Sequence, residues 1–171
     1  MRYVSLLVLM FLAGAVAVGS VSYSEIAAWA CEPTSPEVST ELLFAIASVE
    51  SSLLPEAVNR TSGARGLFQF VEVTVCDVSN RLGYPFDPLK PDQATKAAKI
   101  YLSWLMRVFG EDNLVYVLAG WHWGPTNMMK MLRGEIEAIP FSTLCFINKV
   151  NCVLKVRRSL YEEESDSLKT E

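Results

Sequence analysis

Glu50 stands at the end of an apolar run, Leu42 to Val49, and a glycine-punctuated stretch follows, Gly63-Ala64-Arg65-Gly66-Leu67-Phe68-Gln69. A carboxylate held against hydrophobic neighbours is disfavoured as an anion, so its pKa rises and it becomes able to donate a proton near neutrality. Protonating the leaving oxygen of a glycosidic bond is chemistry that suits such a group. Downstream, Gly120-Trp121-His122-Trp123-Gly124-Pro125 supplies flat aromatic surfaces, which suit the apolar face of a pyranose, together with the chain's only histidine. Glu56, Glu72, Asp77 and Asp87 lie in separate local contexts, so spacing pairs no second acid with Glu50. A glutamate at a helix end is also what a solvated surface residue looks like. His122 likewise reads either as a site residue or as a structural side chain bonded to a backbone carbonyl. No CxxC pair or histidine cluster argues for a metal, and no cofactor is expected.

Helices must position these groups. Leu42, Ile46, Val49 and Leu53 recur at helical spacing and form one buried stripe, with Glu50 flanking it. Thr34-Ser35-Pro36-Glu37 combines a capping hydroxyl, a proline suited to a first turn and an acid for the helix dipole, which predicts a helix start there. A second helix is expected from Phe68 to about Leu82. A third opens at Pro91-Asp92, with Ala94, Ala97, Ala98, Tyr101, Leu102, Leu105, Met106 and Phe109 on its apolar face before Gly110. Shorter segments are expected at Asn113 to Gly120 and Thr126 to Leu132, and a last helix at Phe141 to Val156. No stretch alternates as a strand would, so the fold class is all-α. Phe68, Phe70, Met128, Met129 and Met131 read as packing residues. Of Trp121 and Trp123, only one can face a groove if the segment is extended.

The chain has 171 residues and a formal net charge of −4, which leaves no basic footprint for nucleic acid. Arg2 followed by the apolar stretch Val4 to Val18 reads as a secretory signal over residues 1–22, with possible cleavage as late as residue 30. An uncleaved inner-membrane anchor is the other reading, and that segment is the only expected membrane contact. One domain is then expected over residues 31–156, followed by an acidic, disordered tail over 157–171 carrying Glu162, Glu163, Glu164 and Asp166. In an exported chain, Cys31, Cys76, Cys145 and Cys152 suggest disulfides. Cys145 and Cys152 on one helix would lie roughly 10 Å apart along its axis, so the expected bridges join Cys31 and Cys76 to that pair. Four buried thiols are the alternative. Asn59-Arg60-Thr61 also fits a glycosylation acceptor, read here as a chance match.

The ordered motifs resemble the lysozyme-like lytic transglycosylases of bacterial cell-wall enzymes, secretion systems and phage particles. The acid followed by serine is Glu50-Ser51. The Ser-Gly-Ala-x-Gly-Leu-Met-Gln turn is Ser62-Gly63-Ala64-Arg65-Gly66-Leu67-Phe68-Gln69, with Asn59 at its usual place. The Ala-Tyr-Asn-x-Gly-Pro motif is Gly120-Trp121-His122-Trp123-Gly124-Pro125. The resemblance implies a lysozyme-like helical domain with room for a minimal β element. It makes Glu50 the catalytic residue and places Ser51, Gln69, Trp121, His122 and Phe146 against the substrate.

The activity so implied is cleavage of the β-1,4 bond between N-acetylmuramic acid and N-acetylglucosamine, leaving a 1,6-anhydro ring, in the periplasm or cell envelope. Ordinary glycosidases need two carboxylates, whereas here the attacking hydroxyl would belong to the sugar. Peptidoglycan strands are the implied partner, with a secretion, conjugation or phage assembly as a further one. The sequence departs from the pattern at Trp121 and His122, and at Phe146 where a tyrosine is usual. His122 would then donate to the sugar N-acetyl group or to Glu50, and as a cation it would lower the acid's pKa. A hydrolytic muramidase and a drifted glycan-binding subunit are the competing readings.

Overall fold

The computed structural model describes residues 19–167, and seven helices carry them. They are α1 (Tyr23–Trp29), α2 (Thr40–Ser51), α3 (Glu72–Leu82), α4 (Pro91–Phe109), α5 (Leu114–Trp123), α6 (Pro125–Leu132) and α7 (Phe141–Ser167). The all-α expectation holds, and the β element shrinks to isolated antiparallel bridges, Val58 with Arg65 and Arg65 with Phe70.

Helix α4 behaves as its period predicts. Pro91 occupies its first turn, Gly110 follows its end, and all eight residues of the expected apolar face, Ala94 through Phe109, are buried. Around it, α3 and α5 pack directly, α1 and α2 lean on its other side, and α7 covers α2 and α5. Close approach of α5 to α4 depends on Gly120, where an added Cβ would come within 2.6 Å of Phe109 Cε2.

The helix expected at Thr34 starts later. Ser39 caps α2 by accepting from the Leu42 amide, while Glu37 turns back to the Thr34 amide and pairs with Lys99 Nζ at 2.7 Å. Lys99 is buried and also donates to the Ala30 carbonyl at 2.8 Å, so the segment before α2 is tied to α4. The 68–82 helix likewise begins only at Glu72, because Phe68 to Phe70 are held in the preceding turn.

The packed body begins earlier than residue 31. Val21 and Ile26 are buried, the Val21 amide donates to the Leu53 carbonyl at 2.9 Å, and Ser22 with Glu25 forms a capping box on α1. Cleavage near residue 30 would remove this packing, so the domain boundary moves back to about Val21; the apolar stretch through Val18 lies outside the described residues. At the other end, α7 continues to Ser167 instead of stopping at Val156. No glycine or proline interrupts it, and glutamate is a good helix former. No helix among the described residues is long and apolar enough to cross a membrane.

The expected disulfides are not made: Cys31, Cys76, Cys145 and Cys152 are all free. Cys76 lies on α3, which packs on α4, and Cys31 follows α1, which packs on α2 and α4; the other two ride on α7 against α2 and α5. Nor are the thiols buried, since Cys31, Cys76 and Cys152 are exposed.

Candidate active site

Helix α2 presents the acid. Leu43, Ile46 and Ala47 are fully buried, which anchors the helix and leaves Glu50 partly buried at its rim. The chain then leaves the helix through two left-handed residues, Ser52 (φ 54°) and Leu53 (φ 64°). With Gln69 (φ 49°) these are the only non-glycine residues at positive φ among the described residues. Such backbone costs an L-residue roughly 1 to 2 kcal/mol and persists only where its surroundings hold it. Burial of Leu53 and the Val21 bond to its carbonyl hold it here.

Ser51 is part of that scaffold and not of the cleft. It is buried, and its hydroxyl lies 2.8 Å from the Leu67 carbonyl and 3.1 Å from that of Ala47, which ties the end of α2 to the following turn. The turn is closed from within. Asn59 Oδ1 accepts from the Thr61 and Ser62 amides, and the Gly66 amide donates to the Ala57 carbonyl. Gly66 has φ 78°, and a Cβ there would sit 1.7 Å from the Pro88 carbonyl oxygen, so only glycine fits. Gln69 donates through Nε2 to the carbonyls of Ala57 and Gly66 at 3.1 and 3.0 Å, leaving Oε1 as its group for a ligand.

A cleft of about 340 Å³ opens between this turn and α5. Glu50, Gln69, Trp121 and His122 line it together, joined by the buried rings of Phe68, Phe70 and Tyr101 and by the polar side chains of Asn59, Ser62 and Thr74. Glu50 is the only carboxylate among the lining residues. Trp121 Nε1 donates to Glu50 Oε1 at 3.0 Å, and the indole is surrounded by Tyr101 and Phe70, each 5.6 Å away between centroids, and by Phe68 at 6.3 Å. Burial pushes the Glu50 carboxyl up to about 7, and the indole hydrogen bond opposes part of that rise. A second hollow of about 200 Å³ is lined by Tyr84, Phe86, Asp92 and Lys96.

His122 faces the cleft but does not act on Glu50. Its Nδ1 lies 3.0 Å from Thr143 Oγ1, and its ring stacks on Phe146 at 4.7 Å and 25°. Burial lowers its pKa, so near neutrality the ring is uncharged and the expected cationic effect on the acid does not arise. Phe146 is buried beneath His122 and does not line the cleft. The tryptophans separate for a different reason than alternation: α5 is helical through Trp123, so residues two apart point to different faces, and only Trp121 reaches the cleft.

Tyr101, on the apolar face of α4, belongs to the core and also lines the cleft. It is 4% exposed yet lines the cleft, and burial with the nearby Asp77 charge raises its pKa to about 12, so the hydroxyl stays protonated. The available signal was a hydroxyl-bearing ring in a stripe otherwise made of Ala, Leu, Met and Phe. Phe68 and Phe70 play the same double part.

An all-helical body whose cleft holds one partly buried, protonatable carboxylate at a helix end has the lysozyme-like architecture. The family model described as the transglycosylase SLT domain matches residues 27–138, and the chain belongs to that family. Among solved structures, the 70 kDa soluble lytic transglycosylase Slt70 of Escherichia coli matches with a TM-score of 0.69 at 23% identity, over 84% of this chain and 25% of that one. An inactive mutant of the lytic transglycosylase Slt of Pseudomonas aeruginosa matches with a TM-score of 0.52 at 20% identity, over 78% of this chain and 21% of that one. The chain thus spans about a quarter of those proteins' length, and at these identities the likeness concerns the fold. A search of curated proteins found no significant match.

Proposed function

We propose that the chain is a peptidoglycan lytic transglycosylase, with Glu50 as both acid and base. The observation that carries this reading is a lone cleft carboxylate whose pKa is raised to about 7 by burial. At neutral pH a large share of Glu50 is then protonated and poised to transfer its proton. The proton passes to the glycosidic oxygen as its bond to the muramyl C1 breaks, and positive charge develops on the sugar ring. The carboxylate left behind takes the proton of the muramyl C6 hydroxyl while that oxygen bonds to C1. Atoms balance without water, and the acid is restored.

Among the described residues no second carboxylate lines the cleft to activate water, which favours the anhydro product over hydrolysis. Gln69 Oε1, the Tyr101 hydroxyl and the neutral His122 ring supply polar contacts for the glycan, and Ser62 and Asn59 extend them along the turn. The biological setting we propose is local opening of the wall by an exported protein, for an envelope-spanning assembly or phage entry. Cleavage within Ala15-Val16-Ala17 would leave the packed body from Val21 onward whole.

Mass spectrometry of sacculi digested with the purified chain tests the reaction. Muropeptides ending in 1,6-anhydromuramic acid are expected. Reducing ends in their place would make the protein a hydrolase, and binding without any released product would make it a glycan-binding subunit.

A further inference from the structure

We infer that Trp121 is the positioning residue of the acid: its indole N–H holds Glu50 Oε1 as a permanent acceptor, so that Oε2 both delivers and recovers the proton. This rests on the reading of Glu50 as the acid. Among the described residues, Trp121 is the only side chain hydrogen-bonded to Glu50, at 3.0 Å. His122 is turned toward Thr143, and Phe146 carries no polar atom.

The chemistry of the donor gives the bond its consequence. An indole nitrogen donates one hydrogen and accepts none. In a neutral carboxylic acid the carbonyl oxygen is the stronger acceptor, so the bond selects Oε1 as C=O and Oε2 as O–H. After proton transfer Oε1 still accepts the same hydrogen, and the side chain needs no reorientation before Oε2 takes the second proton. Preorganised donors of this kind act without reorganisation during the reaction.

The donor is itself fixed. Phe68, Phe70 and Tyr101 surround the indole, Tyr101 stacks on Trp104 at 5.7 Å and 14°, and Arg81 lies over Trp104 at 3.7 Å. Gly120, one residue before, lets α5 sit close enough to α4 for the indole to reach the acid.

The test replaces the donor atom and keeps the shape. In the full chain, Trp121 is exchanged for 3-benzothienylalanine, in which sulfur stands where the N–H was, and Trp121→Phe is made in parallel. Two readouts are taken: titration of the Glu50 carboxyl carbon by 13C NMR, assigned by its loss in Glu50→Gln, and steady-state cleavage of purified glycan strands. Loss of the N–H should move the Glu50 titration above its wild-type value of about 7. It should also lower kcat roughly 10- to 100-fold with KM almost unchanged. An analogue that titrates and turns over like the wild type overturns the proposal and leaves Trp121 a packing residue. If Trp121→Phe does not fold, the isosteric analogue still decides. The titration needs no substrate, so a wild-type chain without transglycosylase activity would sink the functional reading while the positioning claim is judged by NMR.

Discussion

The two walls of the cleft are built by different rules. On the wall made by the end of α2 and residues 59–70, backbone geometry decides. Three left-handed non-glycine residues, a glycine with no room for a Cβ and a serine clamped to a carbonyl fix where Glu50 emerges. On the wall made by α4 and α5, side-chain area decides, through the aromatic packing of Tyr101 and Trp121 against Phe68 and Phe70 of the first wall. The first wall follows the expected motif with only Phe68 in place of methionine, whereas the second departs from it at Gly120, Trp121 and His122. Raising a carboxyl's pKa requires exclusion of water, which several aromatic combinations can provide. Bringing the same carboxyl to the cleft requires one backbone path, and Trp121 then orients its oxygens from the other wall.

That contrast predicts unequal damage. Glu50→Gln keeps the shape of the first wall and removes its proton, and cleavage of purified sacculi should fall by roughly 10²- to 10⁴-fold. Retained cleavage would move the acid elsewhere and dissolve the distinction between the walls. Gly66→Ala should be next in effect. Its Cβ would meet the Pro88 carbonyl oxygen at 1.7 Å in backbone already at φ 78°, so the cost is about 3 kcal/mol. In thermal unfolding this corresponds to a Tm lowered by roughly 6 to 12 °C. A variant as stable as the wild type would mean that the turn yields more easily than its packing indicates.

Much of this was legible in the chain, and the failures have physical causes. The face of α4 was readable because its period is sustained over nineteen residues, and Glu50 because an apolar run ends at it. The start of α2 was misplaced because Thr34 and Glu37 satisfy each other locally and Ser39 makes the real cap. Ser51 is expected at the substrate because the resembling motif pairs the acid with a serine, yet on a helix the next residue points elsewhere and meets Leu67. The role of Tyr101 was hidden because a residue can be almost wholly buried in the core and still line the cleft. The cysteine pairing failed because even number and spacing say nothing about which helices pack together. Trp121 to Glu50 joins residues far apart in the chain, a contact that no local pattern encodes.

A pH-dependent stability measurement sharpens the first wall without any substrate. Glu50 has a folded pKa raised to about 7 from an ordinary 4.5, so the folded state binds the proton more tightly than the unfolded state does. Its stabilising contribution is complete below about pH 4.5 and is lost as pH rises through 7. Glu50→Gln stays neutral throughout. Relative to wild type it should therefore gain stability as pH rises from 5 to 9, by an amount on the order of 3 kcal/mol at the alkaline end. Denaturant unfolding at a series of pH values reads this difference, and parallel curves for the two proteins would mean that the acid is well solvated.

The smallest expected effect probes the second wall. Thr143→Val removes the hydroxyl that orients the His122 ring, with little change in volume, while the stack on Phe146 remains. A lost hydrogen bond of about 1 kcal/mol corresponds to roughly fivefold in KM for glycan strands, with kcat nearly constant if His122 only binds. The pH profile of kcat should stay in place, since His122 bonds to Thr143 and burial lowers its pKa. Movement of that profile would show that His122, beside Trp121, also tunes the acid from this wall.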